Sequence, residues 1–408
     1  MKLYNNNIIP YINTNFPELQ SNINISNYST VIIEKLIRQI VDGIKKHKLS
    51  KINYEKLNLT LTNNVIPPEF NYYPVSIKKY IDKMDKIGSK INFNIKERDF
   101  CIYIIIDKKT QNITREIRKI VKLIYTWLYV ISYYYDSNCS QSLDIYLYFT
   151  PLLKSIDNSS PLGRKNVNTA FTTSCTSNTV INIFRYEEWF KTFIHETFHS
   201  FGLDFSNHNN ITMNTNISNI FPCIKEAKLF ETYTEVWAEI INIIFVEIFY
   251  TKQYTTWDTI ILKTPKMLKN INKMISEQYL FSLFQSSKIL SHYKLTYTGM
   301  LTKKCINLYN EETPIFSYYI LKTLILSNID YFLSWCSSNN NFSINFNNYN
   351  KNDNARNKMK RFFDDIIQPL YKKDVLFIKN LFYIQDKSEL LNKKNLFFTT
   401  LRHSIHEL

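Results

Sequence analysis

The chain has 408 residues, room for two or three ordinary domains, and at 45% hydrophobic and 15% aromatic residues it can build a core and is not intrinsically disordered. Its 5 Gly and 11 Pro are too few for collagen-like or propeller-like architectures, which need frequent tight turns. Lys and Arg exceed Asp and Glu by 50 to 35, and a net charge of +15 ordinarily points to a polyanion. Here, however, Asn, Ile, Lys, Tyr and Phe are abundant together, all specified by A/T-rich codons, so the lysine excess follows codon usage and nucleic acid is a secondary expectation.

Along the chain, residues 1–95 are Asn-rich, with one amphipathic helix over Tyr28–His47, where Val31, Ile32, Leu36, Ile40, Val41 and Ile44 recur at helical spacing. The three prolines of Val65–Pro74 mark a connector or lid-like loop. Asp99–Asp107 is a short apolar run that reads as a buried strand, Ile113–Tyr135 as a long helix, and Leu143–Thr150 as a strand. Thr169–Ser174 and Thr179–Arg185 read as a hairpin, followed by a helix over Glu187–Leu203. From Phe221 onward the pattern is mostly helical, at about 225–250, 265–287, 314–336 and 355–380, interrupted by an Asn/Ser-rich loop at 337–354. Three segments are expected on this basis: 1–95 without assigned role, a core over 96–255, and a helical part over 256–408.

Six cysteines (Cys101, Cys139, Cys175, Cys223, Cys305, Cys336) are widely spaced, with no CxxC pair, which fits neither a small disulfide scaffold nor a cysteine zinc site. The first twenty residues lack a continuous apolar stretch, so no secretory signal is expected. The best membrane candidate, Phe316–Cys336, contains Lys322, Asn328 and Asp330 and reads instead as a buried helix. A soluble, intracellular protein without a membrane span is the expectation.

One constellation carries chemistry. His195-Glu196-Thr197-Phe198-His199 is an HExxH motif inside a predicted helix, with Gly202 where a C-terminal cap glycine belongs. Residues four apart share a helix face, so His195 and His199 aim two imidazoles at one point. Glu196 lies about 100° round the helix, placed to hydrogen-bond a water rather than to ligate. Neutral imidazoles suit Zn2+, and a catalytic zinc needs a third protein ligand with one open position. The position six after His199 is Phe205, which cannot ligate; Asp204 and His208 stand nearby. Downstream, Glu231, Glu235 and Glu239 fall on one face of a second helix that continues into IINIIFVEIF, so these carboxylates are largely buried and require a metal or donors.

HExxH on one helix and Glu235-Val-Trp-Ala238-Glu239 on a following one resemble the gluzincin class of zinc metallopeptidases, and the arrangement is also similar to metallopeptidases of large DNA viruses. The resemblance covers about residues 99–250. It implies an α+β zincin-like core, a small mixed sheet plus an active-site helix, with a largely helical C-terminal part. It also implies Zn2+ held by His195, His199 and Glu235, with Ala238 as the small residue and Glu239 as the acid behind a ligand histidine. Glu196 becomes the general base, and a polypeptide substrate pairs with an edge strand, for which Thr169–Ser174 is the candidate. An oxyanion donor is expected among Tyr233, His208, His292 and Tyr318. For a viral chain the location would be host cytoplasm or virion. The competing readings are a non-catalytic zincin-like structural or virion-associated protein and a basic nucleic-acid binder with an incidental HExxH.

Overall fold

A computed structural model describes residues 2–21, 23–57, 59, 65–109, 116–157, 161–250, 257–348, 354–388 and 399–408. Its strands are β1 (Asn53–Leu57), β2 (Lys86–Ile95), β3 (Arg98–Asp107), β4 (Ser142–Thr150), β5 (Ala170–Thr172) and β6 (Asn178–Arg185), joined in one sheet of order β1-β2-β3-β4-β6-β5. The β3–β4 and β4–β6 pairs are parallel and the remaining pairs antiparallel, leaving β1 and β5 at the edges. Period-two alternation gives the sheet two buried faces. Phe100, Ile102, Ile104, Leu143, Ile145, Leu147, Ile181 and Ile183 join the main core, while Ile105, Tyr146, Tyr148 and Phe184 form a second, smaller one.

The helices are α1 (Lys2–Asn15), α2 (Asn27–Leu49), α3 (Val75–Lys83), α4 (Ile117–Ile131), the single turn α5 (Arg164–Val167), α6 (Trp189–Ser200), α7 (Ile211–Ile220), α8 (Leu229–Tyr250) and α9 (Trp257–His292). Shorter helical segments between Tyr297 and Ser388 follow. The fold is α+β with a helical C-terminal part. Helix α4 connects β3 to β4 and packs against α2, where Gly43 permits the approach: a Cβ there would lie 3.0 Å from the Thr126 carbonyl. Helix α3 and the proline-bearing segment cover the second face, with Tyr73, Ile77 and Ile81 in the smaller core.

Two sequence expectations change. The boundary at residue 95 falls in the β2–β3 turn, where Ile95 pairs with Arg98, so β1 and β2 belong to the same sheet as the strands that follow. In KINFNI, Ile91, Phe93 and Ile95 point inward and alternate with Asn92 and Asn94, a strand pattern within the Asn-rich stretch. The boundary at 256 likewise does not separate two cores, since one continuous cluster runs from Ile8 to Ile405. The predicted helix at 113–135 is observed as α4; its residues 113–115, like 349–353 of the predicted loop, lie outside the described residues.

Cys139 and Cys175 form a disulfide, a pairing that spacing alone did not reveal. It ties the turn before β4 to the β5–β6 turn, beside the C-terminal end of α6. The candidate membrane stretch is broken into a π-helical turn (Phe316–Leu321), a short helix (Lys322–Leu326) and a third (Ile329–Asn339), and among the described residues no helix is long and apolar enough to cross a membrane.

Candidate metal centre

Helix α6 is delimited at both ends by residues that matter for the site. At its start Glu188 adopts a left-handed backbone (φ 57°), and its carboxylate accepts from Lys154 Nζ at 2.7 Å. At its end Gly202 has φ +65°, Leu203 N–H donates to Phe198 O at 2.8 Å and Gly202 N–H to His199 O at 3.2 Å, the paired bonds of a Schellman cap. The reversal brings Asp204 back against His199, whose Nδ1 it meets through Oδ2. Asp204 is itself held by Ser206 N–H at 2.9 Å, Ser206 Oγ at 2.7 Å and Thr234 Oγ1 at 3.3 Å.

Helix α8 packs on α6 and supplies the carboxylates. His195 Nε2 and His199 Nε2 are 3.2 Å apart, and Glu231 Oε2 lies 3.1 Å from the first and 3.2 Å from the second. Glu235, one turn deeper, sits on the other side of the His195 ring, with Oε2 2.8 Å from Nδ1. Its Oε1 pairs with Lys191, with His403 Nδ1 at 2.6 Å and with Lys322 at 3.5 Å. Glu239 is deeper still and pairs with Lys322 at 3.1 Å.

The residues converging on one point are therefore His195, His199 and Glu231. Glu235, expected at the metal from the sequence, is positioned instead to orient His195. Glu239, expected behind a ligand histidine, is a lysine partner. All three glutamates share a helix face, so periodicity could not rank them. The packing of α8 against α6 does, by setting which glutamate meets the imidazole Nε2 atoms.

The donor set fits a metal. With Asp204 and Glu235 at the two Nδ1 atoms, both Nε2 atoms face each other and the Glu231 carboxylate. A cation among these three groups, a metal ion or a proton on an imidazole, relieves their mutual repulsion. Their separations of 3.1–3.2 Å let a single ion reach all three ligand atoms.

Electrostatics follow the same geometry. Burial opposes charge on His195 and His199, but hydrogen bonds to Glu231 and Glu235 raise the first and Asp204 and Glu231 raise the second well above ordinary histidine. For Glu235 burial is outweighed by the charges of Lys191 and Lys322, which hold its carboxyl well below the usual range. Burial raises Glu196, with the two imidazoles opposing.

A cleft of about 520 Å3 lies over this centre. Glu196, His195, His199 and Glu231 line it together with Ala170–Thr172 of the edge strand β5 and with Tyr318 and Phe230. Glu69, Tyr72 and Pro74 of the predicted lid-like segment border it. Among the oxyanion candidates, Tyr318 alone lines the cleft, its ring centroid 6.0 Å from that of His195. Tyr233 is buried and donates to Ile344 O, His208 faces Asn347, and His292 packs edge-on against Tyr293. Phe205 fills an aromatic cluster with Phe346, their centroids 4.3 Å apart.

Sequence reasoning missed Lys191, although it lies four residues before His195 and so on the same face. It also missed His403, which no local pattern ties to the site: residues 399–408 return as an inserted segment, with Leu401 and Ile405 buried and Asn242 Nδ2 donating to His406 O at 2.8 Å. No protein-family model matches the chain, and comparison with curated proteins and with solved structures finds no match.

Proposed function

We propose that the chain is a zinc-dependent metallopeptidase of the gluzincin type, hydrolysing peptide bonds of a polypeptide laid along β5. The observation that carries this reading is the convergence of His195 Nε2, His199 Nε2 and Glu231 Oε2 on one point, with Glu196 in the same cleft beside an open sheet edge. Zinc held by His195, His199 and Glu231 would supply Lewis acidity toward water and the scissile carbonyl.

The chain's own groups do the rest. Asp204 and Glu235 keep both Nδ1 atoms protonated and both rings oriented. Glu196, raised by burial, accepts a proton from water and returns it to the leaving amine. The phenol of Tyr318, pushed well up by burial and by Glu231, stays protonated and donates to the oxygen that gains charge. The free side of β5 pairs with an extended substrate backbone. Acidic groups in the cleft, Glu69, Glu196, Glu231 and Glu312, outnumber Arg164 and Lys228, which favours a peptide over a polyanion in spite of the net charge.

The test is zinc content and casein-type hydrolysis for wild type and Glu196→Gln. Retained zinc with activity reduced about 10²–10⁴-fold is expected of a lost general base. Stoichiometric zinc without hydrolysis of diverse peptides by wild type would favour a structural zinc protein. Absence of zinc after metal-replete purification would overturn both.

A further inference from the structure

Beside the cleft lies a second cavity of about 30 Å3. Asn168, Ala170, His195, Glu196 and Tyr318 line both, so the two adjoin next to the general base. The lining of the small cavity is polar apart from Val167 and Ala170. Thr169 and His403, 2% and 5% exposed, belong to it, and each carries a buried polar atom with no partner among the described residues: Thr169 Oγ1 and His403 Nε2.

The tautomer of His403 follows from its other nitrogen. Nδ1 lies 2.6 Å from Glu235 Oε1, a carboxylate that also faces Lys191 and Lys322, so Nδ1 carries the hydrogen. Burial, with Lys154 nearby, keeps the ring neutral. Nε2 is then a bare acceptor, and Thr169 Oγ1 both donates and accepts. A buried acceptor without a donor is costly, so the cavity suits a small group that gives a hydrogen bond. The cations in its wall are already engaged, Lys154 with Glu188 and Lys191 with Glu235, which disfavours an anion. The volume holds one or two atoms of about water size, the bulk of a hydroxymethyl group.

We propose that this cavity is a specificity subsite that receives the hydroxyl of a serine side chain adjoining the scissile bond, with His403 Nε2 and Thr169 Oγ1 as its partners. The inference rests on the metallopeptidase reading. It is tested with peptides in which each residue flanking the scissile bond is varied among Ser, Ala, Gly, Leu and Phe, measuring kcat/KM for the zinc-loaded full chain. At one flanking position Ser should exceed Ala by about tenfold or more, because a site built to hydrogen-bond a hydroxyl discriminates against the analogue without it. Leu and Phe should be excluded there. Thr169→Val, which keeps the shape and removes the hydroxyl, should move the Ser:Ala ratio toward one. Equal rates for Ser and Ala at both positions in wild type would overturn the subsite and assign the cavity to resident water, whether or not the variant folds. Cleavage of none of the peptides would overturn the metallopeptidase reading and the subsite with it.

Discussion

If the proposed zinc site is right, replacing Glu231 or Glu235 by Gln separates a metal ligand from a residue that orients one, although the two stand one helical turn apart. Glu235 has a side chain 1% exposed, and it faces Lys191, Lys322, His403 and the Nδ1 of His195. Glu235→Gln leaves Lys191 as a buried cation without its countercharge. Removing one member of a buried ion pair costs about 3–5 kcal/mol. At an unfolding entropy near 2.1 cal/mol/K per residue, a chain of this length loses about 1 °C of melting temperature per kcal/mol. The metal-free Glu235→Gln protein should therefore melt roughly 3–5 °C below wild type. Its zinc affinity should fall about 10–100-fold, the usual effect of losing the partner of a ligand histidine. Glu231 is different: its side chain is 13% exposed and its partners are imidazoles whose charge depends on protonation. Glu231→Gln should change the metal-free melting temperature less, yet lower zinc affinity by more than about 100-fold, since it deletes a direct ligand. Thermal melts of chelator-treated protein and competition against a chromophoric zinc chelator measure the two quantities. Wild-type zinc affinity in Glu231→Gln together with metal loss in Glu235→Gln would show that Glu235 is the ligand.

Gly202→Ala forces a side chain into the left-handed region at about 1–2 kcal/mol and brings a Cβ within 2.9 Å of Cys139 Sγ, overpacking worth roughly 1–3 kcal/mol. A melting temperature about 2–5 °C lower is expected, with weaker zinc binding because the cap presents Asp204 to His199; an unchanged melt would mean the turn relaxes freely. Burial lowers the pKa of His406 from 6.5 to about 4, and its ring N–H donates to Met274 O at 3.0 Å. A depressed histidine pKa means that the unfolded chain takes up the proton first as pH falls. Stability from neutral His406 is thus complete above pH 6.5 and drains away toward pH 4, by at most about 3 kcal/mol. Urea unfolding of wild type and His406→Gln at pH 7 and pH 4 should show the gap between them narrowing in acid; a constant gap would refute the linkage.

Much of this protein can be read locally. Helical spacing marked α2 and α4, a continuous apolar run marked β3, alternation marked β4, a polar turn between two short strands marked the β5–β6 hairpin, and the HExxH spacing put His195 and His199 on one face of α6 with Glu196 beside them, because each of these depends on neighbours within a turn or two. Strand β2 was not assigned from the sequence, although Ile91, Phe93 and Ile95 alternate with Asn92 and Asn94 as a half-buried strand does. The placement of β5 at an open edge agrees with the candidate chosen from the hairpin pattern. What lay beyond the sequence were relations between distant segments. Glu231, Glu235 and Glu239 are equivalent by periodicity, and only the packing of α8 on α6 decides that the first meets the Nε2 atoms, the second the Nδ1 of His195 and the third Lys322. The Cys139–Cys175 pairing and the return of His403 to Glu235 belong to the same class. The sequence by itself determined the chemistry on offer, two imidazoles and a carboxylate on one helical turn. Tertiary structure alone decided which further carboxylate completes the set, because that choice depends on the relative position of two helices, which no local pattern encodes.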